Sequence, residues 1–464
     1  MRRFVIAAGG SLVALAVGSV DATAAVNGNV TRVAHVAPQA VAKAKPKKPK
    51  KPKKRYVPQG VRFNLPTGTT AQRGAIDLYV KKLIRNAPRG SEIDVSLFRL
   101  RTPGMAKELV RAHKRRVKVR IILDSDSPTG AKANRAVYDY LRRNLGTSTR
   151  RSSWVVLCPT RRGCVATAPK GKWSKNHNKF YAFSRTYDSR NVVVQTSSNA
   201  TNGGYNQYND AYTVVDRRLY TAYRRYFYDL ARKRANANYW RTTWSAHRGV
   251  SHFPKATGDP IGDVLDRVSC TGGRTRIRVS SGILTRTGVA GRLTKLDDRG
   301  CRVQVVADEI GESAMRTFTK PSRNGIPEVR YFTRGQNRTA HSKYLLIDGI
   351  YRGHRRKLVL TGSHSYTTDA LRYNDESMLW IFGGHVHDVY VRNFDRVFSA
   401  AQGKVYVSGL LAAPTVPDDT SEAERPEPEP GTGQPEAELP ATERPAPDGG
   451  PSGPVDGLPS AEGL

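Results

Sequence analysis

The stretch AHSKYLLID, residues 340–348, decides the fold of this chain. Its alternation through residues 344–347 predicts a buried strand that also carries His341 and Lys343. Because residues two apart share one face of a strand, both side chains should point the same way. An imidazole beside a fixed ammonium suits attack on a phosphate, since the imidazole can act as nucleophile or acid while the ammonium neutralises oxyanion charge.

A second, looser copy of this pattern lies upstream. His177 and Lys179 repeat the pair, and a short serine-rich stretch follows each copy, with three polar side chains in position to bind phosphate: Ser197, Asn199 and Ser363. Asp210 and Glu376 then follow Ser197 and Ser363 at the same spacing. A carboxylate that accepts a hydrogen bond from one ring nitrogen of a histidine fixes its tautomer and raises its basicity. The doubled pattern therefore predicts a phosphodiester-cleaving site.

These motifs resemble the signature of the phospholipase D superfamily, which is HxKxxxxD with a downstream GSxN and a supporting carboxylate. The later copy matches the first element through Asp348 and departs at Ser365, where the signature has Asn. The earlier copy has Ser184 in place of the Asp and Thr196 in place of the Gly.

The residue that supplies the supporting carboxylate in the earlier copy can be aligned with the later copy in two ways. Asp210 stands in for the longer Glu, but aligning residues 208–210 with 373–375 matches Asp210 to Asp375 instead.

The resemblance implies two similar α/β sandwich halves about a pseudo-twofold axis, with one active site between them. One histidine would form a phosphohistidine and the other would protonate the leaving alcohol. The two lysines would hold the phosphate oxygens, and Asp210 and Glu376 would orient the histidines. This scheme requires neither metal nor cofactor, and it leaves open which histidine is the nucleophile.

An internal repeat supports two halves. Residues 91–124 and 274–308 both read as strand, loop, helix and strand with an acidic residue at the end. Such alternation predicts an α/β fold with a mostly parallel sheet in each half. The expected segments are a signal peptide (1–25), a basic Lys/Pro-rich disordered linker (26–58), a first half (59–245), a second half (259–412) and an acidic Pro-rich disordered tail (413–464).

The N-terminus and the cysteines both favour export. Arg2 and Arg3 precede the apolar residues 4–17, and small residues 22–24 suit cleavage, although an anchor helix is the alternative. No other apolar run is long enough to predict a membrane span. The four cysteines predict two disulfides, Cys158–Cys164 and Cys270–Cys301, with a zinc site at Cys158 and Cys164 as the alternative.

The formal net charge of +38 favours an anionic partner, either a membrane surface or nucleic acid. Aromatic and arginine residues interleave in residues 219–244, which predicts an amphipathic helix packed on the sheet or a stacking or interfacial surface. We expect a secreted, monomeric enzyme of the phospholipase D type that acts on phospholipids. A secreted nuclease and a noncatalytic binder of polyanions are the alternatives.

Overall fold

The structure is a computed structural model that describes residues 53–321, 325–333, 336–406 and 415–420. The predicted signal peptide, most of the basic linker and most of the acidic tail lie outside the described residues. The described residues all belong to one compact unit that begins at Lys53.

The first part of the described chain alternates strands and helices. Its strands are β1 (Gly60–Phe63), β2 (Glu92–Leu97), β3 (Lys118–Leu123), β4 (Trp154–Leu157), β5 (Lys179–Thr186), β6 (Ser189–Thr196), β7 (Gln207–Tyr208) and β8 (Asp210–Val215). Its helices are α1 (Thr70–Arg73), α2 (Ala75–Arg85), α3 (Pro103–Lys114), α4 (Lys132–Leu145), the 3-10 turn Asn202–Asn206 and α5 (Arg217–Arg232).

The second part continues the alternation. Its strands are β9 (Arg241–Ser245), β10 (Arg248–His252), β11 (Val268–Ser269), β12 (Arg276–Leu284), β13 (Arg302–Gly311), β14 (Glu328–Tyr331), β15 (Thr339–Ala340), β16 (Tyr344–Tyr351), β17 (His354–Gly362), β18 (Ser377–Phe382), β19 (Gly403–Lys404) and β20 (Thr415–Val416). Its helices are α6 (Pro260–Leu265), α7 (Thr287–Asp298), α8 (Glu312–Thr319), α9 (Thr368–Arg372) and α10 (Gly384–Ala400).

Two large sheets repeat one strand order. The first runs β1-β8-β6-β5-β2-β3-β4, and the second contains β14-β13-β12-β16-β17-β18 and continues through β10 to β9. In each sheet the repeated strand–helix–strand units pair in parallel, and the two hairpin strands that follow are antiparallel. The predicted α/β fold is confirmed, whereas the pseudo-twofold axis stays a prediction. The prediction of a mostly parallel sheet in each half was wrong, because the hairpin strands that follow each strand–helix–strand unit make antiparallel pairings outnumber parallel ones in both sheets. Strand β9 lies within the predicted first half but joins the second sheet.

A shared hydrophobic core joins the two sheets. It contains Val193 and Val214 from the first sheet and Val359 and Leu379 from the second, together with side chains of α5 and α10. Two further clusters bury the outer face of each sheet. Strands β2 and β3 are buried on both faces, as expected of parallel strands covered on both sides. The edges of the two sheets are thereby held in a fixed relation, which positions the loops described next.

Among the described residues, we find no helix with the length and hydropathy needed to span a membrane. Both predicted disulfides are present, one between Cys158 and Cys164 and the other between Cys270 and Cys301.

Candidate active site

The first histidine–lysine pair lies at the start of strand β5 and is deeply buried. His177 is 2% exposed, and Lys179, the first residue of β5, is 0% exposed. The Lys179 ammonium donates to the carbonyl oxygen of His177 at 3.0 Å, which fixes the two side chains relative to each other. The ring of Phe98 packs edge-on against His177 with centroids 5.2 Å apart.

The second pair has the same arrangement. His341 and Lys343 are buried, and the Lys343 ammonium donates to the His341 carbonyl oxygen at 2.5 Å. The prediction of a strand was wrong at its start, because β16 begins at Tyr344, directly after the pair. Both pairs therefore lie where the chain enters a central strand, the first with Lys179 as the first strand residue and the second directly before the strand.

Each pair is docked on the opposite half of the chain. The His177 N–H donates to the Asp375 carbonyl oxygen at 3.0 Å, and the His341 N–H donates to the Tyr208 carbonyl oxygen at 3.1 Å. Strand β15, just before His341, pairs in parallel with β7. The two segments thus cross between the halves in equivalent ways, and neither half contains a complete set of contacts by itself.

The two histidines have different partners at Nδ1. His177 Nδ1 lies 2.8 Å from the Glu376 carboxylate, and His341 Nδ1 lies 2.7 Å from the Asn209 amide oxygen. A carboxylate stabilises a positive imidazole ring, whereas an amide oxygen mainly orients it. The site is therefore electrostatically asymmetric.

The prediction that Asp210 orients a histidine was wrong. Its carboxylate accepts hydrogen bonds from the Thr361 hydroxyl at 2.5 Å and the Tyr390 hydroxyl at 2.8 Å. The Asp210 N–H bonds Ser197 Oγ, and this contact matches the one that Ser377 makes with Ser363. Asp210 is thus equivalent to Ser377, and the adjacent residue, Asn209, is equivalent to Glu376.

The predicted phosphate-binding residues differ in their surroundings. The Ser197 hydroxyl donates to the Asn209 amide oxygen at 2.9 Å, so its one proton supports the histidine partner. Ser363 is buried, and its Oγ accepts from the Ser377 N–H at 3.1 Å. Asn199 is half-buried, and its amide oxygen has no hydrogen-bond partner within the described chain. A role in phosphate binding stays a prediction for all three.

The last position of each motif, Ser184 in β5 and Asp348 in β16, has other partners. Ser184 Oγ accepts from the Glu92 N–H at 2.8 Å, and Asp348 forms ion pairs with Arg355 at 3.4 Å and Lys357 at 3.8 Å. Both residues stabilise their own sheet, and neither contacts a histidine or lysine of the two pairs in these bonds.

A residue that the sequence did not indicate as a functional candidate, Asp375, lies beside Glu376 in a backbone cradle. Three successive N–H groups, residues 164–166, donate to its carboxylate at distances from 2.6 to 3.2 Å. Burial raises the pKa of Asp375 to about 7, although these N–H groups act in the opposite direction. Gly163 completes the cradle, because a Cβ there would lie 2.8 Å from the same carboxylate. The Cys158–Cys164 disulfide closes this loop.

Asn209 and Asp375 are the site residues that sequence reasoning missed. The parallel triplets at residues 208–210 and 373–375 were a usable signal, but they place Asn209 opposite Asn374 rather than Glu376. No cluster of three or more His, Cys, Asp or Glu side chains suited to a metal occurs among the residues described.

Comparison with known proteins indicates the family and the fold. A family model described as cardiolipin synthase, PLD-like domain, matches residues 80–231 and 271–398, which is more than half of the chain. A search of curated proteins finds no match.

Two solved structures show the same fold at low identity. Phosphatidylserine synthase from Haemophilus influenzae Rd KW20 is 14% identical with a TM-score of 0.52, over 76% of this chain and 89% of the synthase. Polyphosphate kinase from Porphyromonas gingivalis is 15% identical with a TM-score of 0.50, over 72% of this chain and 49% of the kinase. This chain therefore spans about half the length of that kinase. On its family match and its fold, the chain belongs to the phospholipase D superfamily.

Proposed function

We propose that the protein is a secreted, metal-independent phosphodiesterase that hydrolyses phospholipid head groups, for example phosphatidylcholine to phosphatidic acid and choline. The observation that carries this proposal is the crossed arrangement of two buried histidine–lysine pairs, each held by a side chain of the other half. Two imidazoles and two ammonium groups supply a nucleophile, a proton donor and charge neutralisation for phosphoryl transfer.

His177 is the nucleophile in this proposal. Its Nδ1 proton is held by Glu376, so Nε2 carries the lone pair that attacks phosphorus. The carboxylate stabilises the positive charge that develops on the ring as the P–N bond forms. The amide of Asn209 gives His341 no such charge stabilisation, which favours His177 over His341 for this step.

His341 is the acid and then the base. In the first step the P–O bond to the head-group alcohol breaks, and His341 gives its Nε2 proton to the leaving oxygen. In the second step His341 takes a proton from water, the water oxygen attacks phosphorus, and the P–N bond to His177 breaks. Lys179 and Lys343 neutralise the non-bridging oxygens during both steps, since an ammonium carries three donors and a full charge. An alcohol in place of water would give transphosphatidylation by the same steps.

The two comparisons favour a phospholipid as the substrate. The matching family model is described as cardiolipin synthase, and the solved structure that shares the fold is a phosphatidylserine synthase; both descriptions refer to phospholipids. The two disulfides are consistent with export, because disulfides persist in oxidising compartments. The charge of +38 favours a second candidate, a secreted nuclease, because nucleic acid also rewards a basic surface.

A paired assay with EDTA present tests the proposal. Choline release from phosphatidylcholine vesicles and nicking of plasmid DNA are measured for the wild type, His177→Ala and His341→Ala. We expect choline release that both substitutions reduce by at least about 1,000-fold. Nicking alone, lost in both variants, would establish the nuclease instead. Full activity in either variant would refute a site shared by the two halves.

The assignment of roles has its own test. A phosphodiester with p-nitrophenol as the leaving group needs no acid for the first step, so it should restore the first turnover in His341→Ala but not in His177→Ala. Equal rescue of both variants would contradict the assignment.

A further inference from the structure

Helix α5 presents two chemically different faces. Tyr223, Phe227 and Leu230 are buried in the shared core, so these residues of α5 pack against the sheets. The opposite face exposes Arg217, Arg218 and Arg225. The solvent-exposed face of α5 is therefore its arginine face, whereas Trp244 on β9 is an aromatic residue of the segment 219–244 that is 41% exposed.

The exposed arginines line a cavity between α5 and β9 with a volume of about 510 Å³. Arg241 on β9 and His252 on β10 contribute to the same lining, which includes no carboxylate. In the described part of the chain, none of the three α5 arginines forms an ion pair with an acidic side chain. The cavity has the size of a small-molecule site and is lined by four arginines, of which Arg241 also forms an ion pair with Asp229 at 3.5 Å.

The start of a helix is an unfavourable place for cations. Arg217 and Arg218 are the first two residues of α5, and the N-cap carboxylate of Asp216 accepts hydrogen bonds from the Leu219 N–H and the Ser245 hydroxyl rather than from either arginine. An anion bound in the cavity would be attracted by the exposed guanidinium groups and would reduce the repulsion among them.

His252 supplies a second, independent indication of a ligand. Its ring is 4% exposed and stacks on Tyr226 with centroids 4.2 Å apart. Its Nδ1 lies 3.2 Å from Ser377 Oγ, which donates its own proton to Asn178. Nδ1 is then the protonated nitrogen, and Nε2 is a buried acceptor without a hydrogen-bond partner among the described residues. A hydroxyl group on a ligand would satisfy it.

We propose that this cavity binds the phosphate group of an anionic phospholipid whose head group carries a hydroxyl, and that it holds the protein at the membrane surface. The arginines recognise the phosphate, and His252 accepts from the hydroxyl. The catalytic histidines and lysines do not line the cavity, so it is a separate site. A concave cavity of this size suits one head group, whereas a nucleic-acid backbone requires an extended groove that the strand can enter and leave.

This inference rests on the proposed function only in placing the protein at a lipid surface, and its test does not require activity. All binding is measured in the His341→Ala background, so failure of the reaction and failure of the cavity site are distinguishable. The test variant carries Arg217→Ala, Arg218→Ala and Arg225→Ala, which suit an exposed helix because alanine is the best helix former. The control carries Arg89→Ala, Arg143→Ala and Arg150→Ala, which remove the same charge from exposed positions elsewhere.

Sedimentation with phosphatidylglycerol vesicles is the first measurement. We expect the test variant to bind on the order of 100-fold more weakly, since each arginine near an anionic surface contributes about a factor of five, and the control to change by less than about threefold. We expect sodium phosphate to displace the protein more than sodium chloride at equal ionic strength. Equal losses in test and control, or equal displacement by the two salts, would overturn the proposal in favour of diffuse charge attraction.

Two further arms identify the source of the phosphate. Calorimetry with inorganic phosphate should show binding that the test variant loses. If phosphate binds but vesicles are bound equally by test and control, the cavity takes free phosphate and the lipid proposal is wrong. A loss confined to duplex DNA would likewise overturn it. His252→Phe should weaken binding to phosphatidylglycerol but not to phosphatidic acid, whose head group lacks the glycerol hydroxyls.

Discussion

The two disulfides should contribute unequally to stability and to activity. Removal of one should cost more stability, and removal of the other should cost more activity. The Cys158–Cys164 disulfide closes a loop of six residues, and the Cys270–Cys301 disulfide closes a loop of 31 residues. Chain entropy then gives about 2 kcal/mol of stabilisation for the short loop and about 4 kcal/mol for the long one. By loop length alone, the second disulfide should matter more.

Activity should follow the opposite order, because only the short loop touches the site. Residues 164–166 donate three N–H groups to Asp375, whose carbonyl oxygen accepts from His177 and whose neighbour is Glu376. Loosening this loop displaces the histidine and its carboxylate together. A displacement of about 1 Å can lower turnover by about 100-fold, so we expect a loss of at least about tenfold.

The assay compares Cys158→Ser/Cys164→Ser with Cys270→Ser/Cys301→Ser. Urea unfolding gives the free energy of unfolding, and choline release gives kcat at a temperature where both variants are folded. We expect the first variant to lose less stability and more activity than the second. Asp375→Asn in the intact protein should reproduce the loss of activity. The reasoning is refuted if activity falls in proportion to stability across the two disulfide variants.

Four further predictions concern the active site, the cavity histidine and metal dependence. Glu376→Gln should lower kcat by at least about 100-fold without changing the fold, because an amide cannot stabilise the His177 imidazolium; a kcat within threefold of wild type would contradict this. Asn209→Asp should extend activity to higher pH, because a carboxylate beside Nδ1 stabilises the protonated ring of His341 and the acid then stays protonated longer; an unchanged alkaline limb of the pH–rate profile would contradict it. Burial lowers the pKa of His252 from 6.5 to about 3, so the unfolded state binds more protons than the folded state between these two pH values. The free energy of unfolding should therefore fall as the pH drops below about 6.5. His252→Gln should reduce the dependence of this free energy on pH in urea titrations, and an identical dependence would count against the prediction. EDTA should leave turnover unchanged, and loss of activity that zinc or calcium restores would contradict a metal-independent mechanism.

The alternation of strands and helices could be predicted from the sequence because it depends on local patterns, whereas the antiparallel pairing of the later strands could not. Both repeats alternate apolar strands with amphipathic helices, and β2 and β12 occupy equivalent central places. The start of β16 could not be predicted in the same way. A pattern of apolar residues indicates burial rather than strand pairing. The residues just before Tyr344 are buried too, but the pairing of β16 with β12 begins only at Tyr344.

The mistake at Asp210 came from a one-residue difference between the halves. Asp210 lies 13 residues after Ser197, whereas the equivalent Ser377 lies 14 residues after Ser363. The assumption of equal spacing in the two halves therefore selected Asp210 instead of Asn209, the residue that contacts His341. Successive side chains along an extended segment point to opposite faces. Asn209 therefore contacts His341, whereas Asp210, one residue later, contacts Thr361 and Tyr390.

The contacts around the Asp375 carboxylate could not be predicted from any local sequence pattern. Its N–H groups come from a loop more than 200 residues earlier in the chain, and they are backbone groups whose identity leaves no trace in the side chains. Only Gly163, where a side chain would collide with the carboxylate, marks the contact in the sequence.

The most direct measurement of the central claim is the identification of the covalent intermediate. His341→Ala is mixed with the p-nitrophenyl phosphodiester, quenched in alkali, where phosphohistidine survives, and digested for mass spectrometry. The proposed mechanism predicts a phosphoryl adduct on His177, approaching one per molecule, and none in His177→Ala. An adduct on another residue, or turnover of the ester without any adduct, would contradict a reaction in which His177, held by Glu376, attacks phosphorus.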